Sequence, residues 1–126
     1  MQPPYQGKPD PSLDVVSEVD PDGKEADAPG AKLDGNKPDL SLLLDFSRSL
    51  CAIGQVATDG AKKYSRGGWL LVPDGINRYR AAKMRHMFHG ALSDYDAGSG
   101  SLHIAHEAWN ALAVLELTLR EMENDE

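Results

Sequence analysis

Residues 101–122 read SLHIAHEAWNALAVLELTLREM. At about 100° per residue, His103, His106, Glu107 and Asn110 fall in one narrow sector of a helix, and the same sector continues as Val114 and Leu117. A polar sector that turns apolar along its length faces the interior of a bundle, where its polar groups need partners, a metal or a ligand. With Ser101 as the expected N-cap, this helix should run from about Leu102 to about Met122.

Two more helices follow from periodicity. Between Leu40 and Lys63 the residues Leu40, Leu43, Leu44, Phe46, Leu50, Cys51, Ile53, Ala57 and Ala61 share one broad face, after Pro38 and with Asp39 or Ser41 as cap. From Ile76 to Tyr95 the apolar face is Ile76, Met84, Met87, Phe88, Ala91 and Leu92, with Arg78, Arg85 and His89 as a basic stripe. The connection SRGGWLLVPDG is rich in turn residues and leaves room for a short strand at 69–72, which would have no evident partner. The fold expected is all-α, a small bundle of three main helices, completed by oligomerisation because broad apolar faces remain to be covered.

The segment 1–29 is rich in proline and acids and poor in apolar side chains, so it reads as a disordered tail preceding a helical domain at 30–126. The single cysteine, Cys51, excludes an internal disulfide and reads as a packed side chain. No unbroken apolar run approaches the roughly 18 residues of a membrane span, and the N-terminus lacks the apolar core of a signal peptide. A cytoplasmic protein without a membrane partner is expected.

The net charge of −7 is unevenly distributed. Acids dominate both ends, while the stretch 60–92 holds Lys62, Lys63, Arg66, Arg78, Arg80, Lys83 and Arg85 against Asp74 alone. A basic centre between acidic ends suits a small polyanion such as a nucleoside triphosphate better than long nucleic acid.

All 4 histidines lie between His86 and His106, in the pairs His86/His89 and His103/His106, each spaced to share a helix face. Imidazoles so placed bind metals, carry protons or hold phosphates. His86 and His89 are equally readable as surface residues. Asp94 and Asp96, just before the third helix, either coordinate a cation or favour the positive end of the helix dipole. The chain has no GxxxxGK[ST], GxGxxG, HExxH, CxxC or His-Asp motif, which removes several phosphate-binding and hydrolytic architectures.

The order GAKLDGNKPDLSLL (30–43), DGAKKY (59–64), Trp69, Arg85-His86 and DYDAGSGSLHIAHEAWNALAVLEL (94–117) resembles the phage dATP/dGTP diphosphohydrolase family, MazZ-like relatives of the all-α MazG nucleotide pyrophosphohydrolases. The resemblance spans residues 30 to about 119. It implies an oligomeric enzyme, a dimer or tetramer, in the host cytoplasm, that uses Mg2+ or Mn2+ to hydrolyse dGTP or dATP to the monophosphate and pyrophosphate. MazG enzymes hold metal through two glutamate-rich segments. Here His106-Glu107-x-x-Asn110 stands in a place like the second, and the first helix offers only Asp45 and Asp59, which leaves the number of metal ions open.

On this resemblance Glu107 binds metal or activates water, and His103 and His106 are metal ligands or proton carriers, with Asp94 and Asp96 as further metal candidates. Lys62, Lys63 and Arg85 are expected to hold phosphates, with His86 and Asn110 also at the substrate. Tyr64 or Trp69 would stack on the base, Trp109 being the better candidate for a packed aromatic, and Lys32 and Lys37 flank a turn that would fold over the site. The rival readings are a non-catalytic helical interaction module and a nucleotide-binding accessory protein.

Overall fold

The computed structural model describes residues 18–125. The part of the expected tail at 1–17 lies outside the described residues. The chain divides into two compact units, with the boundary after Leu42.

In the N-terminal unit, Asp20 is 5% exposed and organises the turns around it. Its carboxylate accepts the backbone N–H of Asp22 at 2.7 Å, of Lys24 at 3.4 Å and of Lys32 at 2.7 Å. These bonds, that from Lys32 foremost, hold the Asp20 carboxyl below its usual pKa. Gly35 donates its N–H to the Val19 carbonyl at 2.7 Å, and a β-carbon at 35 would stand 2.9 Å from that oxygen, so only glycine fits. Composition had placed residues 18–29 in the tail; the carboxylate of Asp20 supplies the local order that apolar burial does not.

The C-terminal unit contains three α-helices: α1 (Ser47–Lys63), α2 (Gly75–Gly90) and α3 (His103–Asn124). A tighter 3-10 helix, Leu40–Phe46, leads into α1, and a second, Gly68–Leu71, precedes α2. The segment expected as a possible strand at 69–72 is therefore mostly 3-10 helix, and among the described residues there is no strand, only an isolated antiparallel bridge between Tyr95 and Leu102. α2 packs along α3 as the principal pair, and α1 leans on α3.

Helix α2 ends at Gly90, five positions before the expected Tyr95. The N–H groups of Leu92 and Ser93 both turn back onto the His89 carbonyl, at 3.0 and 2.9 Å, and close the helix. The chain then folds so that the His103 N–H reaches the Asp94 carbonyl at 2.8 Å. Leu102 rather than Ser101 occupies the N-cap position of α3, with no side-chain cap.

Three aromatic rings lock the start of α2 onto α3. Trp69, Tyr79 and Trp109 meet edge to face with centroids 5.5–6.2 Å apart, and the Tyr79 hydroxyl donates to the Trp69 carbonyl at 2.7 Å. Nearby, a β-carbon at Gly75 would come within 3.1 Å of Leu117. Among the described residues the buried apolar core is small, namely Val56, Ala105 and Ala113. Large apolar side chains lie exposed along the first helical run, among them Leu43, Leu44, Phe46 and Leu50. That run, Leu40–Lys63, is 24 residues with a mean hydropathy of 1.2 over its most apolar window, long and apolar enough to cross a membrane by length and composition. Asp45 and Arg48 interrupt the leucines of this run, so the sequence shows no unbroken apolar stretch there.

Candidate metal centre

Where α2 ends and α3 begins, the helices approach closely. A β-carbon at Gly90 would stand 3.3 Å from the β-carbon of His103, and this contact sets His103, 5% exposed, beneath the end of α2. The four histidines meet here. His86 and His103 face each other through their Nδ1 atoms at 3.0 Å. The rings of His86 and His106 stack in parallel, 4.3 Å apart and 5° from coplanar orientation. His89 meets His103 edge to face at 5.8 Å.

The loop between the helices brings a carboxylate to this cluster. Asp96 donates its N–H to the Ser101 carbonyl at 2.8 Å and accepts the Gly100 N–H on its own carbonyl at 2.7 Å. The latter bond bends the chain through a glycine at φ 75°. The Asp96 carboxylate takes the Ser99 N–H at 2.9 Å and lies 3.8 Å from Nε2 of His106. Ser99 Oγ is in turn 2.7 Å from that nitrogen. One ligand atom each from His86, Asp96 and His103 falls within 4.8 Å of the others, a spacing that a single metal ion can span.

Electrostatics set the protonation these groups need. The hydrogen bond from the Ser99 hydroxyl holds the Asp96 carboxyl below its usual pKa. Burial holds the His86 imidazole below its ordinary value, reinforced by His106 and opposed by Asp96. His106 is likewise lowered by burial, against the raising effect of Asp96. Near neutral pH Asp96 therefore offers an anionic carboxylate and His86 and His106 neutral imidazoles, the form in which such groups bind a cation. At 3.0 Å the facing Nδ1 atoms of His86 and His103 share one proton, and an ion about 2.0–2.1 Å from both would sit to one side of the line that joins them.

Glu107 and Asp94 stand beside this cluster rather than among the three close ligands. With His103, Met87, Leu102 and Ile104 they line an open hollow of about 380 Å³. Asn110 is buried and turned back along its own helix, its Nδ2 donating to the His106 carbonyl at 2.8 Å. α1 also packs on α3, and the Asp59 carboxylate near the end of α1 works to raise the His106 pKa. Lys62 and Lys63 follow on that helix, exposed, with the Lys63 ammonium 5.2 Å from the Tyr64 ring centre. Arg85 is exposed beside His86 on α2. Trp69 is engaged by Tyr79 and Trp109. Lys32 and Lys37 belong to the N-terminal unit, where Lys37 lies 3.9 Å from Glu18.

Sequence reasoning took His103, His106, Glu107, Asp94 and Asp96 as metal candidates and gave His86 to the substrate; the structure sets His86 with Asp96 and His103. Ser99, which orients both Asp96 and His106, was not singled out, although Asp-x-x-Ser-Gly is the pattern of a turn closed by an aspartate side chain.

An all-helical domain with imidazoles and a carboxylate converging between two helices defines a protein with a candidate metal centre. The chain belongs to the family described as dATP/dGTP diphosphohydrolase, N-terminal, whose profile matches residues 27–126 and so includes every residue of the cluster. No curated protein and no solved structure matches the chain.

Proposed function

We propose that this domain carries out metal-dependent hydrolysis of a deoxypurine nucleoside triphosphate, dGTP or dATP, to the monophosphate and pyrophosphate, in phage nucleotide metabolism within the host cytoplasm. The observation that carries this reading is the convergence of His86, Asp96, His103 and His106 next to a hollow walled by Glu107 and Asp94, inside the region matched by the family. His86, Asp96 and His103 would hold a divalent ion, which when bound supplies charge neutralisation and a more acidic water. Glu107 takes the proton from the attacking water as its oxygen bonds to the α-phosphorus. The bond from that phosphorus to the bridging oxygen breaks, and pyrophosphate leaves with its electron pair. His106, held by Ser99, is the proton carrier closest to the ligands. Lys62, Lys63 and Arg85 are exposed cations suited to phosphate oxygens.

The purified protein, incubated with each common ribo- and deoxynucleoside triphosphate and a divalent ion, should yield pyrophosphate and a monophosphate from dGTP or dATP, with EDTA abolishing the reaction. Orthophosphate with a diphosphate, or triphosphate with a nucleoside, would overturn the proposed bond cleavage. Nucleotide binding without turnover would favour the accessory reading.

The functional form we propose is a homo-oligomer. Among the described residues one chain leaves Leu43, Leu44, Phe46 and Leu50 exposed while burying only Val56, Ala105 and Ala113 of its apolar side chains, and a second copy offers a matching face of the same chemistry.

A further inference from the structure

The donor atoms at the centre are specific enough to choose among metals. We propose that His86, Asp96 and His103 form a site for a first-row transition-metal ion of the Mn2+, Co2+ and Zn2+ class, and that this site discriminates against Mg2+. The proposal rests on reading the cluster as a metal centre, and it is independent of which nucleotide is hydrolysed.

Mg2+ is a hard ion that sheds water reluctantly and takes oxygen ligands in near-ideal octahedral geometry. Two of the three donors here are imidazole nitrogens, which bind the later first-row ions with affinities rising from Mn2+ through Co2+. Geometry agrees with the donor chemistry. Two nitrogens held at about 2.0–2.1 Å from one ion stand about 2.9 Å apart across the right angle of a six-coordinate site and about 3.4 Å apart in a tetrahedral one, and the Nδ1 atoms of His86 and His103, 3.0 Å apart, fit the first.

The ligands are also restrained in the manner of a built site. His103 is fixed by burial and by its contact at Gly90. Asp96 is fixed by the Ser99 N–H and by a loop sewn shut at Tyr95 and Leu102. His106 stacks on His86 and orients that ring, with its own Nε2 occupied by Ser99. Partners of this second kind position metal ligands and tune them. Three protein ligands leave coordination positions open for water and a phosphate oxygen.

The test uses tag-free full-length protein with Cys51→Ser, because Cys51 is an exposed thiol that would itself attract soft ions. Metal-free protein is titrated with Mg2+, Mn2+, Co2+ and Zn2+ separately. Thermal unfolding, calorimetric stoichiometry and the visible absorption of Co2+ are read without any nucleotide. The expected result is one ion per chain for the transition metals at micromolar concentration, with a rise in Tm, while millimolar Mg2+ leaves Tm unchanged.

His86→Gln should abolish the Co2+ absorption. Asp96→Asn keeps an oxygen to accept the Ser99 N–H and should fold, yet weaken binding by at least about tenfold, the least expected when even an outer partner of a metal site is lost. Equal stabilisation by Mg2+, or binding that survives both substitutions in protein of unchanged circular dichroism, would overturn the proposal. Hydrolysis that fails in protein shown to bind Co2+ at these residues would overturn the reaction reading and leave the metal site standing.

Discussion

Glu107 sits half-buried on the wall of the hollow beside His103, one helical turn below it. The amide of Glu107→Gln keeps the shape of the side chain but cannot take a proton from water. Turnover should fall by at least about a hundredfold, the usual contribution of a general base, with unchanged circular dichroism and Tm. Turnover close to that of the parent would remove Glu107 from the chemistry and direct attention to Asp94. A second expectation concerns His86 and His106, whose pKa values are both held below the ordinary value of 6.5. The unfolded chain binds more protons than the folded one as pH falls, so stability rises with pH in this range. The contribution of these rings is fully present above their unfolded pKa and is lost as pH falls toward their folded values. Metal-free protein should therefore show a urea midpoint that declines between about pH 7 and about pH 5, and His106→Gln should flatten that decline. A midpoint independent of pH in the parent would contradict the half-buried, neutral state of His86 and His106.

At the scale of elements, the end of α2 and the start of α3 meet at a place where no side chain fits comfortably. Gly90→Val would push a branched side chain against His103, already 3.3 Å from a simple β-carbon, at a cost of about 1–3 kcal/mol for overpacking. Helix content should survive, and the loss should appear both in the denaturant midpoint and in Co2+ affinity. A variant with parental Co2+ affinity would show that His103 is not positioned through this contact. The inward sector of α3 was legible in the sequence because a helix has a fixed period, and burial of His103 and Asn110 follows that sector. The partnership of His86 with Asp96 was not legible. It depends on α2 stopping at Gly90, whereas the periodicity of Ala91, Leu92 and Tyr95 favoured continuation. It depends also on the return path of the loop, which hydrogen bonds within 93–103 decide and hydrophobic pattern does not. The order around Asp20 was hidden for a related reason, since a side chain bonding to three backbone N–H groups leaves no periodic trace.

For the whole molecule, the exposed leucines of the first helical run set the question of assembly. Light scattering after gel filtration should give a mass that is a multiple of 13.7 kDa. The pair Leu44→Glu and Phe46→Glu, both at exposed positions, should shift it to a single chain. A monomeric parent, or a parent that partitions into lipid vesicles, would assign this apolar face to something other than a second copy. The centre itself answers to different constraints. Its three candidate ligands come from one short stretch of chain, His86 and His103 being separated by 17 positions with Asp96 between them. The helix–loop–helix hairpin is thus a self-contained cassette. Sequence drift elsewhere in the chain can leave this hairpin as it is, so divergence outside it and persistence of the candidate centre are separable along this chain.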